Sequence, residues 1–426
     1  MKLKEFSPKA IHSILNSIAR INIWTGAVRS SKTISSIIRL VELAASNRIP
    51  KDIKGVLVGK TIGTLEKNVL EDLASIVGSK NYQYRSTKKQ VILYGRKFDV
   101  VGAKDEGSKD LIQGMTYGIG YCDEITLYPQ SFWNMLQTRF ISILNYCILA
   151  TCNPESPYHW LKVNFIDKAI ELGINVFKFD LDDNLHMPLE NKLSLIKSYT
   201  GVFYQRYILG LWVLAEGLIY SMFDEKKHLF DNLTVNNEYQ KYNLAIDYGT
   251  QNPFCAGLFT KVENKHYMMK EYYYCGRDSE NGKLKTNEEY CDDIADFVGN
   301  RIINKIDIDP SAIAFITSLK KQYPKLGQKI NDHTDNSVKE GIENVSSCLG
   351  LGELLIHKNC KNTRKEFAVY SWDEKKAMKT GKEQPLKVND HAMDMIRYYI
   401  RNNWFTNSPK TTTARVLTRN NIKQLA

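Results

Sequence analysis

The sequence predicts an α/β protein of two units, the first built on a largely parallel sheet covered by helices on both faces. Three observations carry that prediction. At 426 residues the chain is too long for a single hydrophobic core. Short apolar runs of strand length alternate with segments of helical period as far as Ala150, the pattern of strand–helix–strand crossovers. A looser stretch from about Asp182 to Phe230 then precedes a fresh strand at Asn243–Asp247.

The elements follow in order. Ile11, Ile14, Leu15 and Ile18 have helical spacing and lead into the strand Ile21–Trp24. A glycine-containing turn follows, then a helix carrying Ile34, Ile37, Ile38, Leu40, Val41 and Leu43. Gly55–Gly59 is a short buried strand, and Thr64–Leu73 is helical. Val91–Tyr94 and Phe98–Val101 flank Gly95-Arg96-Lys97 as a hairpin. Ile119–Cys122 and Tyr146–Ala150 are core strands. A helical stretch begins at Asp182, and Tyr204–Trp212 is a further helix. In the second unit His266–Tyr274 is a strand, and Glu288–Val298 and Ala312–Lys321 are helices.

The strand Ile21–Trp24 runs into Gly26-Ala27-Val28-Arg29-Ser30-Ser31-Lys32-Thr33 and then a helix. This is the arrangement of a phosphate-binding loop, with backbone N–H groups around the phosphates, Lys32 on the β/γ-phosphates and Thr33 on magnesium. Ser31 stands where a second glycine is usual. Downstream, an apolar strand ends in Cys122-Asp123-Glu124, where Asp123 would hold the magnesium shell and Glu124 polarise the attacking water. A third strand ends in Thr151-Cys152-Asn153-Pro154, whose polar side chains would sense the γ-phosphate; by itself it reads as an Asn-Pro turn. Together these are the parts of an ATP-hydrolysing site.

The second half carries acids at strand ends and on a late helix. Asp247 ends one strand and Asp309 another, and His391 and Asp394 share a face of the helix continuing through Met395, Ile396, Tyr399 and Ile400. Carboxylates and an imidazole from separate elements are what two-metal phosphodiester hydrolysis requires, in an RNase H-like arrangement. Asp307 lies on the same strand face as Asp309, so periodicity does not separate them; Asp309 is preferred for its place at the strand end. Asp390 is read as the N-cap of the last helix.

The net charge of +11 favours a polyanionic partner. Eight cysteines without metal-ligand spacing read as buried apolar residues in a reducing compartment. The N-terminus lacks an apolar signal core and no apolar run reaches membrane-spanning length, so a cytosolic, soluble protein is expected.

On these residues the chain resembles the large terminase subunits of tailed bacteriophages, in the branch of headful-packaging phages of Gram-positive bacteria. The resemblance runs from Trp24 to about Tyr398 and is most specific at Asp390-His391-Ala392-Met393-Asp394-Met395-Ile396-Arg397-Tyr398, Leu209-Gly210-Leu211-Trp212 and Asp309-Pro310-Ser311-Ala312. It implies an ASCE-type P-loop ATPase followed by an RNase H-like nuclease. The expected division is ATPase at 1–215 with a helical subdomain at 182–215, linker at 216–240, nuclease at 241–406 and a basic flexible tail at 407–426. Gly26, Arg29, Ser30, Ser31, Lys32, Thr33, Asp123, Thr151 and Asn153 would bind ATP and Mg2+, with Glu124 catalytic. Asp247, Asp309, His391 and Asp394 would be the nuclease metal site, for Mg2+ or Mn2+. The implied partners are double-stranded DNA, a portal protein, a small terminase subunit and copies of the chain in a ring, with no membrane, in the host cytoplasm. Arg139 is the expected trans arginine finger. The rival readings are a helicase- or repair-type ATPase–nuclease and a resolvase-like nuclease with a structural N-terminal unit.

Overall fold

The computed structural model describes residues 6–233, 240–249, 252–276 and 284–404, so the basic tail lies outside the described residues. Two sheets organise the chain. The first takes strands β1 (Ile21–Gly26), β2 (Gly55–Gly59), β3 (Tyr82–Arg85), β4 (Gln90–Leu93), β5 (Arg96–Gly102), β6 (Ile119–Cys122), β7 (Cys147–Cys152) and β8 (Asn175–Phe179). Their order is β3-β4-β5-β2-β6-β7-β1-β8, with β5 to β8 of that row parallel and the β3–β4 hairpin antiparallel at one edge.

Alternate residues of the central strands enter separate cores. Trp24, Leu57, Tyr121 and Leu149 pack on one face with the helix Lys32–Ala45. Ile23, Val58, Cys122 and Ala150 pack on the other with the helix Gln130–Thr138. A strand buried on both faces must be apolar throughout, which is why these runs show no polar alternation.

The second sheet takes β9 (Leu229–Phe230), β10 (Lys241–Asp247), β11 (Phe254–Val262), β12 (Lys265–Tyr274), β13 (Ile302–Ile308) and β14 (Leu354–His357), in the order β13-β10-β11-β12-β14-β9. β10, β11 and β12 form an antiparallel meander, and β13 adds parallel to β10. Helices Asn287–Val298 and Ile313–Gln322 cover one face, and Val338–Gly350 and His391–Asn403 the other. Gly257 lets the last helix approach: a Cβ there would stand 2.5 Å from Met395 Sδ.

Several elements differ from the sequence expectation. β3, β8, β9 and β14 are only two to five residues long, too brief for periodicity to mark them. The segment expected as linker contributes Ile219 and Tyr220 to the second core and β9 to the second sheet. Phe203 and Tyr207, expected in a helical part of the first unit, bury their rings in that same core. All eight cysteines are unpaired and seven are buried. No helix among the described residues is long and apolar enough to cross a membrane.

Candidate active sites

The first site forms where β1 meets the helix Lys32–Ala45. Gly26 adopts φ 137°, and a Cβ there would stand 1.9 Å from the Phe179 carbonyl oxygen, so only glycine lets β8 lie against the turn. The loop is then pinned at both sides. Ala27 N–H donates to Phe179 O at 3.0 Å, Val28 N–H to Tyr207 O at 2.7 Å, and Asn184 Nδ2 to Arg29 O at 2.7 Å. Ser31 has φ 72°, the left-handed region that a glycine enters without strain, which gives the usual glycine its physical reason and shows serine occupying the same conformation. Ser30 is buried with its hydroxyl on Ala27 O, and half-buried Thr33 is the second residue of the helix.

Lys32 is folded into this loop. Its ammonium donates to Gly26 O at 3.0 Å, Asn153 Oδ1 at 3.2 Å, Ser30 Oγ at 3.4 Å and also to Ala27 O. Burial pulls its pKa down to about 8.

Asp123 and Glu124 follow the end of β6, and Thr151 near the end of neighbouring β7 ties them together. The Thr151 hydroxyl donates to Asp123 Oδ1 at 2.9 Å and accepts the Glu124 N–H at 3.1 Å. Asn68, which carried no sequence signal, donates to Asp123 Oδ2 at 3.3 Å. Burial raises the Asp123 carboxyl above the ordinary range, and burial with the charge of Asp123 pushes Glu124 up to about 7. Thus Lys32, Asp123, Glu124, Thr151 and Asn153 converge at the carboxyl ends of β1, β6 and β7. Arg139 does not join them. Its carbonyl accepts the Tyr117 N–H ahead of β6, at the opposite end of the sheet, and its guanidinium rests on the Thr138 hydroxyl.

The second site gathers on the helix His391–Asn403. His391 Nδ1 lies 2.9 Å from Asp247 Oδ2. Burial raises the Asp247 carboxyl; burial would lower His391, but the hydrogen bond and charge of Asp247 outweigh it and raise the imidazole. Tyr398, which sequence reasoning quoted without a role, spans two acids: its hydroxyl is 3.2 Å from Asp309 Oδ2 and 3.5 Å from Asp247 Oδ1. Its spacing from Asp394 (four residues) puts it on the same helix face, the signal that could have found it. Asp394 accepts from Arg397 Nε and Nη2 through Oδ1 and from Lys387 through Oδ2.

The two candidates on β13 separate clearly. Asp307 is fully buried and satisfied by Asn331, Asn403 and Lys305, a structural role. Asp309 lies beyond the strand end and faces Tyr398; burial opposes, but the Ser311 N–H and hydroxyl, Asn336 and Tyr398 lower its pKa. The expected capping role of Asp390 is corrected. It occupies the N-cap position but makes no side-chain cap bond, because Glu366 accepts from Ala392 N–H at 2.7 Å and from Met393 N–H instead.

Among the described residues no three His, Cys, Asp or Glu side chains stand close enough to ligate one ion as they are. The donor chemistry nevertheless fits a hard divalent cation: Asp247 and Asp309 reach one hydroxyl, His391 adjoins Asp247, and the charge of Asp394 is felt at Asp247 and Tyr398.

No curated protein matches the chain. Residues 56–227 match the family "Terminase large subunit, T4likevirus-type, N-terminal". The large terminase of a thermophilic bacteriophage is 36% identical over 94% of this chain and 99% of its own, with a TM-score of 0.84. The same protein in complex with ADP is 36% identical over 94% and 100%, TM-score 0.84. In complex with ATP-gamma-S it is 35% identical over 93% and 98%, TM-score 0.83. Identity at this level across nearly the full length of both chains, with the fold shared, decides the matter: the chain belongs to the phage large terminases.

Proposed function

We propose that the chain hydrolyses ATP at the first site to move double-stranded DNA into a procapsid and cuts that DNA at the second. The observation that carries the reading is the pair of separate acidic centres, one at the carboxyl ends of β6 and β7, the other on the helix His391–Asn403 over the second sheet. At the first, the backbone of Gly26–Ser31 and the Lys32 ammonium would cradle the phosphates, and Thr33 and Asp123 would hold Mg2+. Glu124, titrating at about 7, is suited to take the proton of the attacking water near neutral pH. Thr151 fixes Asp123 and the Glu124 backbone together, and Asn153 holds Lys32, so the end of β7 would register phosphate occupancy. Arg29 would contact nucleotide from within the loop.

At the second site Asp247, Asp309, Asp394 and His391 would hold Mg2+ or Mn2+, which would supply a nucleophilic hydroxide and stabilise the leaving oxygen. Tyr398 orients Asp247 and Asp309 toward one point, and Glu366 anchors the helix start that carries His391. DNA is held through its phosphates, consistent with the charge of +11. We further propose a ring on a portal protein, recruited by a small terminase subunit in the host cytoplasm. There Arg139, at the far end of the sheet, would serve a neighbouring copy. The division of the chain near residues 215–240 follows from the looser sequence pattern there, and the placement in the headful-packaging branch from the family resemblance.

The test is to separate the activities. Asp247→Asn should abolish plasmid cleavage while leaving ATP hydrolysis near wild type, and Lys32→Ala should abolish ATP hydrolysis. Equal loss of both activities in a folded Asp247→Asn protein overturns the two-site reading.

A further inference from the structure

Asp394 carries two cations of different kinds. Arg397 is nearly buried (side chain 3% exposed), and its Nη1 also donates to the carbonyls of Ser337 and Asn336. Its Nε and Nη2 hold Asp394 Oδ1 at 3.2 and 2.9 Å. Four bonds from a rigid, buried guanidinium make this a permanent feature of the fold.

The other oxygen is held differently. Lys387 reaches Asp394 Oδ2 at 3.2 Å and Asp390 Oδ2 at 2.9 Å, yet its side chain is 59% exposed. It projects from the irregular segment between the helices Glu374–Thr380 and His391–Asn403, beside exposed Val388. A solvated lysine on a loop exchanges its partners cheaply, since such ion pairs contribute about 0.2–1 kcal/mol each. Asp394 Oδ2 is therefore the one oxygen of this carboxylate that can be released without breaking the buried clamp.

We propose that Lys387 is a displaceable counter-ion of the nuclease centre, occupying on Asp394 the position that a divalent cation must take. The proposal rests on the reading of Asp394 as a metal ligand. Without metal, the ammonium neutralises Asp394 and Asp390 and keeps the acids from repelling one another. As a divalent cation arrives, the lysine leaves Oδ2 and swings into solvent, while Arg397 continues to hold Oδ1 and so aims Oδ2 at the ion. Lys387 is thus a positioning residue that sets how readily the site loads, and Arg397 sets the direction of the ligand.

The test is a Mn2+ titration of the full-length, DNA-free and nucleotide-free protein, read by the electron paramagnetic resonance signal of the free aqua ion. Lys387→Met should bind Mn2+ about two- to fivefold more tightly than wild type, because the competing ion pair is gone. Lys387→Gln, which retains a neutral donor, should fall between them. Circular dichroism establishes that each variant is folded. In an Asp394→Asn background, Lys387→Met should change nothing. Unchanged or weaker binding in Lys387→Met overturns the proposal, as does tighter binding that persists without Asp394. If Asp394→Asn alone leaves Mn2+ affinity at the wild-type value, the metal-site reading itself fails.

Discussion

Replacing Glu124 with glutamine should stabilise the nucleotide-free protein while removing its ATPase. Burial beside Asp123 holds the Glu124 carboxyl to a pKa of about 7, against an ordinary value of 4.5. Each tenfold change in proton affinity is worth about 1.4 kcal/mol, so the ionised side chain costs the fold about 3 kcal/mol as an upper figure. Solvent at the mouth of a half-buried position trims this to about 2–3 kcal/mol. The pH dependence gives the effect its signature. Below pH 4.5 the carboxyl is protonated in both folded and unfolded chains, and no penalty exists. Between about 4.5 and 7 the unfolded chain ionises while the folded chain keeps its proton, so wild-type stability falls as pH rises; above 7 the loss is complete. Glutamine does not ionise. Glu124→Gln should therefore exceed wild type by about 2–3 kcal/mol at pH 8 and by little at pH 4.5. For the melting of a domain of this size that is a rise of roughly 5–10 °C at pH 8. Thermal and urea unfolding of the metal-free protein at the two pH values would measure it. A stabilisation equal at both pH values, or none at pH 8, refutes the electrostatic argument.

Ser31→Gly should relieve the left-handed strain at φ 72° and raise stability by about 0.5–1 kcal/mol without weakening ATP affinity; urea unfolding and nucleotide titration would show it, and a destabilised variant would contradict it. Thr151→Val leaves Asp123 Oδ1 and the Glu124 N–H without their hydroxyl partner. It should cost about 1–3 kcal/mol and suppress ATP turnover, while Thr151→Ser retains both and plasmid cleavage is unaffected by either change.

The sequence was most informative where chemistry and local order coincide. The phosphate loop needs only a strand, a turn and a helix in succession, and all of Gly26 to Thr33 lies within one such unit. Asp123, Asp247 and Asp309 could be placed at strand ends because parallel strands deliver their carboxyl ends to one edge, so an acid at the end of an apolar run has a known destination. His391 and Asp394 were paired by helical spacing alone. The placement of Arg139 illustrates the limit. Arg139 closes the helix Gln130–Thr138, but which end of the sheet that helix presents depends on the return path of the chain, and the Tyr117–Arg139 backbone bond sets Arg139 at the end opposite the Gly26–Thr33 loop.

What the tertiary structure alone decided are roles shared between residues distant in sequence. Asp307 and Asp309 are equivalent by period; Asn331 and Asn403, 24 and 96 residues from Asp307, are what make it a buried, fully partnered acid, whereas Asp309 meets the Tyr398 hydroxyl. Asn68 reaches Asp123 across 55 residues, and Glu366 takes from Asp390 the capping of a helix that begins 25 residues after it. Periodicity and motif spacing report only the geometry of one element, the direction in which each side chain leaves its own backbone. The partner it meets is set by how sheets and helices pack, because a buried polar group takes whichever donor or acceptor that packing brings within about 3 Å.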